Sequence, residues 1–123
     1  MTGEQHDITE RTFSFALHIV RLCRKLDQTP GIGRTLAQQL LRSGTSIGAN
    51  VEEARAGQSK ADFISKNAIA LKEARETRYW LRLITESEVI KNNDEIVYLL
   101  QEAGELSKIL GAIVSRAKQK DSL

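Results

Sequence analysis

A chain of 123 residues with one proline, Pro30, has little room for loops. Proline usually makes up about 5% of residues and collects in turns, so its near-absence argues for long helices and few connections. Aromatic residues are scarce at 5%, and β-branched runs are missing, which disfavours a sheet. A single cysteine, Cys23, excludes an internal disulfide and any multi-cysteine metal site. It falls on an apolar helical stripe and reads as a buried, inert thiol. The first dozen residues are polar, with no signal-peptide core, and no apolar run approaches the ~18 residues of a membrane span. The expectation is a cytoplasmic protein with no membrane role.

Enzyme signatures are missing as well. Neither His6 nor His18 has a glutamate three positions before it, so the Glu-x-x-His pattern of di-iron bundles is absent. Two histidines and one cysteine do not fill a structural zinc site. No serine sits in a nucleophile-elbow pattern. The sequence therefore reads as non-enzymatic, with no catalytic residue, no cofactor and no metal.

What is present is ordinary for a globular domain: 41% hydrophobic and 28% charged residues. The length suits one domain over residues 1–123 with one core. The net charge is only +2, but it is unevenly spread. Residues 34–82 carry nine Lys/Arg against five Asp/Glu, residues 83–107 one against six, and the tail from Lys108 four against one. Such segregation permits a basic surface patch on a nearly neutral protein.

Apolar spacing at about 100° per residue predicts helices over about 8–26, 34–56, 60–86 and 94–118. The inward stripes are Ile8, Phe15, Ala16, Ile19, Cys23 and Leu26; Leu36, Leu40, Gly44, Ile47, Val51 and Ala54; Phe63, Ala70, Ala74, Leu81 and Ile84; and Ile96, Leu99, Ala103, Leu106, Leu110, Ile113 and Ala117. Ser59 can cap the third helix, and Asp62 suits its positive end. Asn92 with Glu95 resembles a capping box for the fourth. Gly57 reads as a left-handed stop for the second, and the chain past Lys118 as frayed. Four amphipathic segments joined by short loops give an all-α, antiparallel up-down-up-down four-helix bundle. Phe13, Leu17 and Val20 widen the apolar arc of the first helix beyond what one-sided packing needs. Ile69, Trp80 and Leu83 form a second apolar face on the third. Phe13, Leu17, Ile69, Trp80 and Leu83 are therefore expected at an interface between copies of the chain.

Two motifs carry the remaining signal. Gly44 and Gly48 sit inside the second helix, where each glycine costs on the order of 1 kcal/mol relative to alanine. Close approach of a neighbouring helix, with Ala70 and Ala74 as partners, is the favoured account; a phosphate-binding turn fits no P-loop spacing. Ser43, Ser46 and Asn50 read as an interhelical polar seam. Arg75, Arg78 and Arg82 lie within about 60° on the wheel and form one guanidinium stripe. The stripe has two readings. It pairs with Glu52, Glu53, Glu73 and Glu76 within and between subunits, which is the blander and favoured one, or it grips nucleic-acid phosphates. Arg116, Lys118 and Lys120 in the tail read first as cations that suit a helix end.

Three stretches resemble one family. They are Gln39-Leu40-Leu41-Arg42-Ser43-Gly44-Thr45-Ser46-Ile47-Gly48-Ala49-Asn50-Val51-Glu52-Glu53-Ala54, then Gln58-Ser59-Lys60-Ala61-Asp62-Phe63, then Ala70-Leu71-Lys72-Glu73-Ala74-Arg75-Glu76-Thr77-Arg78-Tyr79-Trp80-Leu81. Together they are similar to the bacterial four-helix-bundle proteins, also called the ribosomal RNA intervening-sequence protein family. The resemblance implies a ring-shaped homopentamer. A related group, the accessory proteins of diversity-generating retroelements, shares the pentamer and binds nucleic acid through basic surface. Carried to this chain, that implies weak, sequence-tolerant RNA or DNA binding by Arg75, Arg78 and Arg82, with Arg116, Lys118 and Lys120 as outliers. The rival expectation is a structural or adaptor ring that binds a protein partner and has no nucleic-acid role.

Overall fold

Four apolar stripes at the helical period produce four helices: α1 (Gly3–Asp27), α2 (Ile32–Ala56), α3 (Lys60–Glu86) and α4 (Asp94–Ser122). The computed structural model describes the backbone of residues 3–57 and 59–122 and the side chains of 8–57 and 59–120. Gln58, which opens the second family-like stretch, lies outside the described residues. No strand occurs among the described residues, and no helix there is long and apolar enough to cross a membrane.

The helix ends follow local chemistry. Ser59 Oγ accepts the Asp62 amide at 3.1 Å and starts α3 as expected. The cap of α4 is Asn93 rather than Asn92: its Oδ1 accepts the Ile96 amide at 3.0 Å. α4 begins at Asp94, so Asn93 occupies the capping position and Ile96 is the third helical residue. Gly57 ends α2, but at φ −61° and ψ 147° it is extended, not left-handed. A Cβ there would lie 3.1 Å from the Ala54 carbonyl oxygen, so proximity and not handedness favours glycine. α1 and α4 run longer than apolar spacing indicates, because residues 3–7 and 119–122 carry no apolar stripe; the helix continues where fraying was expected.

Each helix packs on the next and α4 returns to α1, and among the described residues no backbone approach joins diagonal helices. Residue pairs from α1 to α2 and from α1 to α4 run in opposite numerical senses. Cys23 donates to the Ala37 carbonyl at 3.4 Å, and a Cβ on Gly44 would reach the Ile19 side chain at 2.8 Å. A Cβ on Gly48 would lie 3.2 Å from the Thr12 carbonyl oxygen. Between α2 and α3, the Ser43 and Thr77 hydroxyls share a buried hydrogen bond at 3.0 Å. Between α1 and α4, Arg11 makes a forked pair with Glu102 at 2.6 and 3.1 Å, and His18 and Lys25 both approach Glu95 at 3.5 Å.

The core contains all seven expected residues of α4, with Phe15, Ile19, Leu22, Leu26, Leu40, Ile47, Leu81 and Ile84 fully buried. Fully burying such a side chain contributes ~1.5–3 kcal/mol. Gly44 and Gly48 do serve close helix approach, but the partner is α1, not Ala70 and Ala74 of α3. Ser46 and Asn50 also depart from expectation: they bond back to the Arg42 and Ser46 carbonyls of their own helix at 2.6 and 2.8 Å. Only Ser43 of that trio reaches across. Cys23 is buried, and burial first, then the nearby Asp27 charge, pushes its thiol up to about 12.

Two outcomes check this packing. Gly44→Ala drives a methyl into the β-branched Ile19 and should lower stability by ~1–3 kcal/mol. Gly111→Ala, where a Cβ would meet nothing within 4 Å, should raise it by up to ~1 kcal/mol; urea unfolding at fixed chain concentration reads both. Cys23 should resist iodoacetamide at pH 8 in the folded protein and react once unfolded. With its pKa raised on folding, its contribution to stability is full below the unfolded value of 9.0 and falls as pH climbs from there toward about 12.

Candidate nucleic-acid interface

α3 carries acid and base on opposite flanks. Its buried stripe runs through Asn67, Ala70, Ala74, Thr77, Leu81 and Ile84. On the flank toward α2, Glu76 pairs with Arg42 and Glu73 lies 3.4 Å from the same guanidinium. The Trp80 indole N–H donates to Glu76 at 3.0 Å. On the flank toward α4 lie Arg75, Arg78 and Arg82, which line a groove of about 540 Å³ with Tyr79, Gln101 and Lys108. Its floor is open because α4 presents the small residues Gly104 and Ser107 there: a Cβ on Gly104 would lie 4.0 Å from Arg78 Nε.

Within one chain the expected pairing of the arginine stripe with Glu73 and Glu76 does not form. Glu73 and Glu76, expected to neutralise it, are turned away and held by Arg42. Among the described residues, Arg75 and Arg78 have no carboxylate partner and are exposed. Arg82 pairs with Glu86 at 3.2 Å along its own helix, an exposed contact of small energetic weight. Arg116, Lys118 and Lys120 are exposed but do not line the groove, and Arg116 and Lys118 already have interactions of their own.

The expected apolar interface is divided. Phe13 and Leu17 of α1 are 64% and 43% exposed, and Ile69 and Leu83 of α3 are 38% and 39% exposed. Phe13 also edges a trough between α1 and α2 with Ala16, Gly48 and Ala49. Trp80 differs from expectation. It is half-buried and packs on the core, because the Glu76 carboxylate satisfies its one polar atom while the ring stays against apolar neighbours.

A family model described as 23S rRNA-intervening sequence protein matches residues 4–112. The chain belongs to that family. A solved structure from Bacteroides thetaiotaomicron, described as a protein of unknown function from the S23 ribosomal protein family, is 39% identical; the match covers 91% of this chain and 98% of that one, with a TM-score of 0.82. No curated protein matches the chain. For this member of the intervening-sequence protein family, sequence reasoning found the three groove arginines but missed Tyr79 and Lys108. Lys108 was grouped with the tail by charge, although it stands four residues after Gly104 and so on the same face of α4. Among the described residues, no group of three or more His, Cys, Asp or Glu could hold a metal ion.

The pairing pattern has a direct energetic consequence. Arg42→Ala should cost ~0.5–1 kcal/mol, since it loses two carboxylates at once. Arg78→Ala should change stability by less than ~0.5 kcal/mol, the usual range for a surface position without such features. Urea unfolding at low and high salt measures both, and the Arg42 effect should shrink as salt rises.

Proposed function

We propose that the chain is a non-enzymatic, cytoplasmic, single-domain protein that associates with copies of itself and binds RNA or DNA weakly, with little preference for sequence. The observation that carries this reading is the pair of exposed arginines, Arg75 and Arg78, that face an open groove without a carboxylate partner. A guanidinium presents planar donors that match phosphate oxygens in pairs, and a phosphate would supply the charge these two lack. The family's description refers to an intervening sequence of ribosomal RNA and gives no activity, so the argument rests on the residues.

Self-association follows from the apolar surface. Phe13 and Leu17 lie on α1, Ile69 and Leu83 on α3; a contact that joins α1 of one copy to α3 of the next is heterologous and closes into a ring when its rotation closes. The arrangement proposed is an antiparallel up-down-up-down bundle, supported by the opposed residue pairings along its seams, assembled as a homopentameric ring. Five grooves would multiply a modest affinity by avidity. An adaptor ring for a protein partner is the second reading, favoured by the apolar trough beside Phe13.

Filter binding at low salt with structured RNA, duplex DNA and single strands tests the nucleic-acid reading. Retention should fall steeply with added salt, and Arg78→Ala should reduce the log–log salt slope by about one. No retention of any of the three would refute it. Light scattering should give a mass of about five chains. An Arg78→Ala protein that loses its oligomer while each chain still binds would favour the adaptor.

A further inference from the structure

The groove between α3 and α4 has a feature that a phosphate-binding surface alone does not need, an exposed ring on its lip. Tyr79 is 60% exposed, yet it is held in place. Its ring meets Trp80 edge-on, with centroids 5.2 Å apart and planes at 77°, and Trp80 is itself anchored to Glu76. An aromatic ring braced by a second ring and exposed over most of its surface is a platform for stacking.

The cations around it form a track. Arg75, Arg78 and Arg82 sit on successive turns and extend ~10 Å along α3 at 1.5 Å per residue. Lys108 stands across the groove on α4. Neighbouring helix axes are ~8–10 Å apart, so the space between them is too narrow for a duplex, whose bases are in any case already stacked on both faces. A cavity of about 540 Å³ with a small-residue floor suits nucleotide-sized groups.

We propose that this groove takes an unpaired stretch of RNA or DNA, with a base stacked on Tyr79 and phosphates held by Arg75, Arg78, Arg82 and Lys108. The inference rests on the nucleic-acid reading above and narrows it to single strands. Gln101 on the opposite wall offers both a donor and an acceptor to a base edge. Glu105 is the carboxylate on the lining, and Lys108 lies 3.9 Å from it, which offsets its repulsion of phosphate.

Trp80 is the chain's single tryptophan and touches Tyr79, so its fluorescence reports on the groove. The protein is titrated with a 12-nucleotide oligo-dT, an oligo-U of equal length and a 12-base-pair duplex at one salt concentration. Both single strands should change Trp80 emission and bind at least about tenfold tighter than the duplex. Tyr79→Ala should weaken single-strand binding about five- to 150-fold with the salt slope unchanged, and Tyr79→Phe should restore it. Gly104→Leu, which fills the floor without touching Tyr79, should weaken it too. Equal affinity for the duplex overturns the proposal. So does a folded Tyr79→Ala protein that binds single strands normally while Arg78→Ala does not; the arginine-surface reading would then stand without the groove. No salt-sensitive binding of any nucleic acid refutes both.

Discussion

Acids and arginines stand on separate flanks of α3, and Arg42 of α2 takes up the acidic flank. Glu73 and Glu76 lie at none of the three- or four-residue separations from Arg75, Arg78 and Arg82 that bring helical side chains together. Rotation about the helix axis then decides which neighbour each flank meets. Thr77 is buried against Ser43, which fixes which flank of α3 faces α2. Turning α3 by one residue, about 100°, would bury Glu76 or Arg78 and expose Thr77, at a desolvation cost far larger than any surface ion pair returns. A buried hydroxyl pair thus sets which neighbour each charged flank of α3 meets.

The same rotation joins the groove to the core. α4 meets α3 with Leu99, Ala103 and Leu106 buried, which places Gly104 and Ser107 at the edge of the seam. Small residues there leave the space above them open, and long side chains from α3 form its wall. On the other side of the bundle, Gly44 and Gly48 let α2 approach α1 closely enough that Ile19 and Thr12 fill the place of their side chains. α1 also borders α4, through Arg11, His18 and Lys25, while Val20, which widens its apolar arc, stays exposed. Phe13 and Leu17 remain outside both contacts.

Much of the fold was legible in the sequence. The α4 stripe, from Ile96 to Ala117, was read residue by residue, since a long helix that packs along one side has an unambiguous period. Ser59 and the span of α3 were equally clear. Features that depend on which helix stands next to which were not. Gly44 signals close approach without naming its partner, and two adjacent asparagines offer two capping registers, of which Asn93 is the one used. Trp80 looked exposed because its wheel angle lies off the main stripe, but a large ring reaches the core from there when Glu76 satisfies its N–H. The arginine stripe was visible, whereas the groove was not: Tyr79 and Lys108 come from different helices, and no local pattern joins them.

The central claim is that nucleic acid lies between α3 and α4, against the exposed arginines Arg75 and Arg78. Ultraviolet crosslinking of the protein to a single-stranded RNA, followed by peptide mass spectrometry, tests it most directly. The account expects adducts at Tyr79 and on the α4 peptide that contains Gln101 and Lys108. Adducts confined to the tail at Arg116, Lys118 and Lys120, or to the α1/α2 face around Phe13, would contradict it.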